Sequence, residues 1–280
     1  MSELSRLVEQ PGAVTISYSD AAFPDRPLLL HSACPQRFTV DTPVVLVHHG
    51  VGRNGKDYRN YWLDLVDEAS VLAISIEFPE AYFPEYLMYN FGNLHTKEGR
   101  ANPREQWTYG IDERLFDALR VEGITACDRY GLFGHSAGGQ FVHRMVSFGY
   151  REHVAIAISA NAGTYAMPDL MTAWPFGLGD VGLDQAALRS LLEFPLIVMA
   201  GTLDTETAGK FFPKGPRSML QGAHRYERAH NYVRAAHAAA AALGIACKWA
   251  IVDVPDVGHD GAGMTRSAAP IIAAALNVNC

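Results

Sequence analysis

The sequence predicts an α/β protein: a largely parallel sheet with helices on both faces. Three observations predict it. From residue 44 onward, short apolar runs alternate with segments of helical period. The runs are near-continuous, as in strands covered on both sides. Between one such run and one such helix stands Gly134-His135-Ser136-Ala137-Gly138, the G-x-S-x-G pattern of a serine on a sharp strand-to-helix turn.

The elements follow in order. Val14 to Tyr18, Leu28 to His31 and Arg37 to Val40 are short strand candidates separated by turn-rich pieces such as Phe23-Pro24-Asp25, an antiparallel opening. Val44 to His48 is the first fully buried strand. A loop, Gly50 to Gly55, leads to a helix over Tyr58 to Glu68, and Val71 to Ile76 is the next strand. Ile111, Leu115, Phe116 and Leu119 share one helix face. Tyr130 to Phe133 precedes the serine, and Phe141, Val142, Met145 and Val146 follow it at helical spacing, with Gly149 as a stop signal. Val154 to Ile158, Leu196 to Ala200 and Trp249 to Val254 are strands. Tyr226 to Leu243 and Ala268 to Leu276 are helices. Residues 79–108 and 161–190 break the alternation and are rich in aromatics, Gly and Pro. They are expected to form binding loops or a small cap on a single domain, residues 1–280.

With 280 residues, 49% hydrophobic, the chain can bury a sizeable core. A formal charge of -7 without long runs of one sign leaves no footprint for nucleic acid. No stretch of 18 apolar residues predicts a membrane span. The N-terminus lacks a basic start followed by an apolar core, so a cytoplasmic protein without a secretory leader is expected. Cys34, Cys127, Cys247 and Cys280 are far apart with no C-x-x-C pair, a spacing that indicates neither a zinc site nor a disulfide framework. No metal is expected. His48 and His49, adjacent at a strand end, point to opposite sides and make a poor metal pair. His230 and His237 belong to a solvated helix face.

A serine hydroxyl needs a base, and the base an orienting acid. On a parallel sheet these gather at the carboxyl ends of strands. His259, in Gly258-His259-Asp260-Gly261, follows the last strand, and small neighbours leave its imidazole room to reach across. Asp204 follows the Leu196 strand and is the candidate acid. Asp180 and Asp184 are rivals, and Asp256 a weaker one. Oxyanion donors are expected from the backbone N–H of Ala137 and from His49-Gly50-Val51-Gly52, with Val51 preferred and Gly50 and Gly52 close behind. Arg53 and Asn54 either bind substrate or order this loop. His135 is expected to pack beside the serine. Tyr165, Trp174 and Phe176 are candidates for an apolar acyl or alcohol pocket.

The order Ser136, Asp204, His259, the Gly-His-Ser-Ala-Gly turn, the His49-Gly50 loop and the Gly-His-Asp-Gly segment resemble the α/β-hydrolase superfamily from Val44 to the C-terminus. His49-Gly50-Val51-Gly52-Arg53-Asn54, followed by Tyr58 and Trp62, is similar to its esterase and polyhydroxybutyrate-depolymerase-like branch. That resemblance implies cofactor-free hydrolysis of carboxylic esters. It implies Ser136, His259 and Asp204 as triad, Ala137 and Val51 as oxyanion donors, and a small-molecule ester as partner. An amidase or peptidase with the same triad, and a non-catalytic binding protein on this scaffold, are the alternatives. A dehalogenase is disfavoured because serine stands where that chemistry uses aspartate.

Overall fold

The computed structural model describes residues 3–277. Eight strands form one sheet in the order β1-β2-β4-β3-β5-β6-β7-β8. They are β1 (Gly12–Tyr18), β2 (Leu28–Cys34), β3 (Val44–His48), β4 (Leu72–Glu77), β5 (Tyr130–His135), β6 (Val154–Ala160), β7 (Leu196–Gly201) and β8 (Ala250–Val254). β1 and β2 pair antiparallel, as does β2 with β4, and every later pairing is parallel. The carboxyl ends of β3, β5, β7 and β8 therefore share one edge, where loops from distant parts of the sequence meet.

Alternate strand residues feed two cores. On one face Val45, Val47, Phe133 and Ile158 pack against Tyr58 and Trp62 of α1 (Gly55–Leu63) and against Met264, Ala268 and Ile272 of α8 (Gly261–Leu276). On the other, Leu46, Leu72 and Leu132 meet α3 (Ile111–Val121), α4 (Ala137–Ser147), α5 (Gln185–Leu192) and α7 (Arg225–Ala242), which the short α6 (Pro216–Met219) precedes. Burial on both faces explains why these strands read as unbroken apolar runs.

Local details differ from the sequence expectation. Arg37–Val40 is not a strand. Thr39 and Thr42 close a turn, with the Thr42 N–H on the Thr39 carbonyl and the Thr39 N–H on the Thr42 hydroxyl. The expected Tyr58–Glu68 helix is two pieces, α1 and α2 (Val66–Ala69), and Ser70 at φ 52 ends the second. The last helix starts at Gly261 because the Asp260 carboxylate caps the N–H groups of Ala262 and Gly263. The stretch 161–190 ends inside a helix, α5, capped by Asp184 and buried through Leu188, Leu191 and Leu192. Cys127 is disulfide-bonded, which the spacing of the cysteines did not suggest, because sequence separation does not report proximity in the fold. Cys34 and Cys247 are free, and Cys280 lies outside the described residues. No described helix is long and apolar enough to cross a membrane.

Candidate active site

Ser136 sits between β5 and α4 with φ 58 and ψ −114. A non-glycine residue at positive φ is strained, and here the strain lifts the hydroxyl clear of the sheet edge. The neighbours leave no room for side chains. A Cβ on Gly134 would lie 2.2 Å from the Gly138 carbonyl oxygen, and one on Gly138 would lie 2.2 Å from that of His48. Gly138→Ala should therefore cost more than about 4 kcal/mol, measured by urea unfolding; a loss below 1 kcal/mol would refute this packing.

The residues expected around the serine divide into those the fold brings together and those it does not. His259 Nε2 lies 2.9 Å from Ser136 Oγ, and His259 Nδ1 lies 2.7 Å from Asp204 Oδ2. Asp204 is buried at 1% exposure, while the His259 side chain is 28% exposed. Of the rivals, Asp184 caps α5, Asp180 occupies a positive-φ turn, and Asp256 occupies another in the same loop as His259, with its N–H on the Thr202 hydroxyl. His259 comes from the loop after β8, the edge strand beside β7, so that loop must cross the end of β7. Gly201 permits this, since a Cβ there would meet the Val257 carbonyl oxygen at 2.4 Å.

Two residues that the sequence reading passed over complete this arrangement. Arg225, at the start of α7, donates to Asp204 Oδ1 at 3.2 Å, so both carboxylate oxygens have partners. Asn161, just past β6, accepts from the Gly201 N–H at 2.8 Å and donates to the Gly258 carbonyl at 2.9 Å, which ties the Asp204 loop to the His259 loop. Asn161 was findable, because it stands at a strand's carboxyl end. Arg225 carried no local signal.

The Gly50 loop faces the serine: a Cβ on Gly50 would lie 3.7 Å from Ser136 Cβ. Ala137 opens α4, whose first intrahelical bond is Gln140 N–H to the Ser136 carbonyl. Its N–H thus belongs to the first turn, which has no intrahelical acceptor, at the positive end of the helix dipole. Val51 is 47% exposed at the tip of the loop. Arg53 orders the loop. Its guanidinium donates to the carbonyls of Phe78, Phe83 and Glu85 and lies 4.6 Å over the Tyr89 ring. Tyr89 in turn donates to the His49 carbonyl at 2.6 Å. Asn54 turns to Asp57. His49 is buried and pushed down to about 3, chiefly by desolvation; it is neutral, with Nδ1 on the Gly50 carbonyl and Nε2 accepting from the Phe78 N–H. The 79–108 segment is thereby bound to the loop beside the serine.

The three pocket candidates do not form one lining. Tyr165 is a correction: it is fully buried, stacked on Tyr232 at 4.3 Å, and so belongs to the core behind Asp204. Trp174 is half-buried against Phe91 and Phe148 and over Arg144. Phe176 lines a separate groove of about 580 Å³ with Met167, Met171 and Leu220. Arg144, fully buried, joins both long connections to α4 by donating to the carbonyls of Asn90 and Pro175 and to Gln140 Oε1. Among the described residues, no group of three or more His, Cys, Asp or Glu side chains is placed to hold a metal.

Compared with solved structures, the chain superposes on a poly(3-hydroxybutyrate) depolymerase from Bordetella parapertussis with a TM-score of 0.90 at 37% identity, covering 96% of this chain and 90% of that one. The chain is an α/β hydrolase. Within that superfamily this hydrolase belongs to the esterase and polyhydroxybutyrate-depolymerase-like branch. It is also similar to a poly(aspartic acid) hydrolase from Sphingomonas sp. KT-1, with a TM-score of 0.90 at 34% identity over 94% of this chain and 99% of that one. An S-formylglutathione hydrolase from Agrobacterium tumefaciens shares the fold at 15% identity and a TM-score of 0.61, with 96% of each chain covered. No protein-family model and no curated protein matches the hydrolase.

Proposed function

We propose that this hydrolase cleaves carboxylic esters through an acyl-enzyme on Ser136. The observation that carries the proposal is the continuous hydrogen-bond chain Ser136–His259–Asp204, at 2.9 and 2.7 Å. Ser136 Oγ attacks the ester carbonyl while His259 Nε2 takes its proton. Asp204 keeps the other imidazole proton on Nδ1 and stabilises the imidazolium. Ala137 and Val51 N–H groups receive the oxyanion. His259 then protonates the leaving alcohol, and water activated by the same histidine releases the acid.

The neighbouring names widen the substrate range in two directions. One names a polyester and the other a poly(amino acid), so a polymer or oligomer of hydroxy acids joins simple esters as a substrate class. Amide hydrolysis is the second reading, favoured by the 34% identity to the poly(aspartic acid) hydrolase. Turnover of alkyl and aryl esters of graded chain length, beside matched amides and Ser136→Ala, tests the proposal. Ester turnover that exceeds amide turnover and vanishes in Ser136→Ala is expected. Amide turnover that matches or exceeds it would move the assignment to amidase.

A further inference from the structure

Beside the candidate triad lies a second hydrogen-bonded pair that the proposed mechanism does not use. Tyr58 of α1 and His135, the residue before the serine, are 5% and 3% exposed, and their Oη and Nδ1 atoms are 2.8 Å apart. Burial holds His135 well below the usual imidazole range, with His259 and Arg225 adding to the effect. The neutral ring has one proton to place. With that proton on Nε2, Tyr58 donates to Nδ1, and one buried N–H lacks a partner. With it on Nδ1, the tyrosine O–H and the Nε2 lone pair would both lack one, since Nε2 has no partner among the described residues. The first arrangement is the cheaper.

The pair touches both halves of the site. On one side the Tyr58 hydroxyl sits against Gly50, 2.9 Å from where a Cβ would be, and the Gly50 N–H acts on it. Gly50 is thus wedged between Tyr58 and Ser136, and the next N–H in the turn is that of Val51. On the other side the His135 ring packs against His259, with centroids 4.7 Å apart and planes at 40°. Gly261 closes the contact: a Cβ there would meet both the Tyr58 hydroxyl and His135 Nδ1 at 3.3 Å.

We propose that Tyr58 and His135 are positioning residues, holding the Gly50–Val51 turn over Ser136 and fixing the ring plane of His259. The proposal rests on the triad reading. Tyr58→Phe keeps the ring, which packs edge-on to Tyr61 at 5.3 Å, and removes only the hydroxyl.

The test uses 4-nitrophenyl butyrate, with rates expressed per site titrated by a fluorophosphonate. In Tyr58→Phe, kcat should fall at least about tenfold, because small misplacements of reacting groups are costly. KM should stay within about twofold. Phenylboronic acid, a tetrahedral-adduct probe, should lose affinity by a similar factor, while inhibition by butyrate stays unchanged. His135→Gln should reproduce the loss, and the double variant should be no worse than the poorer single one. Wild-type kcat and boronate affinity per titrated site in both variants would overturn the proposal, as would a change confined to KM. Ser136→Ala in the same assay separates the two claims. Its retention of turnover would sink the triad reading, whereas its inactivity beside an unaffected Tyr58→Phe would sink only this one.

Discussion

Ser136→Ala is expected to lower ester turnover by on the order of 10⁶, the scale seen when a serine nucleophile is removed from its triad. The substitution deletes one oxygen, the atom 2.9 Å from His259 Nε2. The elbow backbone stays as it is, because its path is set by Gly134, Gly138 and the Ser136 N–H on the Ala160 carbonyl. The variant should therefore fold and melt at or above the wild-type temperature, since strained functional sites commonly cost stability. Residual rate above the water reaction would come from the oxyanion donors alone. A variant that unfolds would instead mean that the hydroxyl is part of the scaffold.

Asp204→Asn is expected to cost on the order of 10⁴ in turnover, by analogy with serine proteases, and the local geometry says why. Arg225 needs an acceptor and holds Oδ1 at 3.2 Å. It will therefore keep the amide oxygen of the asparagine and turn the amide nitrogen toward His259. The nitrogen donates to Nδ1, so the neutral imidazole carries its proton on Nε2 and cannot accept one from Ser136. Stability should change little, because Arg225 keeps its partner. The control variants Asp180→Asn and Asp184→Asn should stay near wild type. A small effect at Asp204 with a large one at Asp180 or Asp184 would reassign the acid.

Most of the sheet was legible in the sequence because strands buried on both faces read as nearly continuous apolar runs, as residues 44–47 do. The elbow was legible because two glycines are sterically required there. His259 and Asp204 followed from their places after strands. What stayed hidden depends on distance in space. Arg225 meets Asp204 across 21 residues and a surface loop. The Tyr58–His135 bond spans 77 residues. Tyr165 was misplaced because an aromatic in a Gly-rich connection looks the same whether it faces solvent or stacks in the core on Tyr232. The Arg53 role could not be separated from substrate binding until the carbonyls of Phe78, Phe83 and Glu85 were seen around its guanidinium.

Ester cleavage by this route requires that Ser136 carry the acyl group. Peptide mass spectrometry after reaction of the folded protein with a fluorophosphonate tests it most directly. One adduct on the peptide containing Ser136, lost on prior denaturation and in Ser136→Ala, is the predicted result. An unmodified Ser136 in protein that still hydrolyses esters, or an adduct on another residue that accounts for the loss of activity, would contradict it.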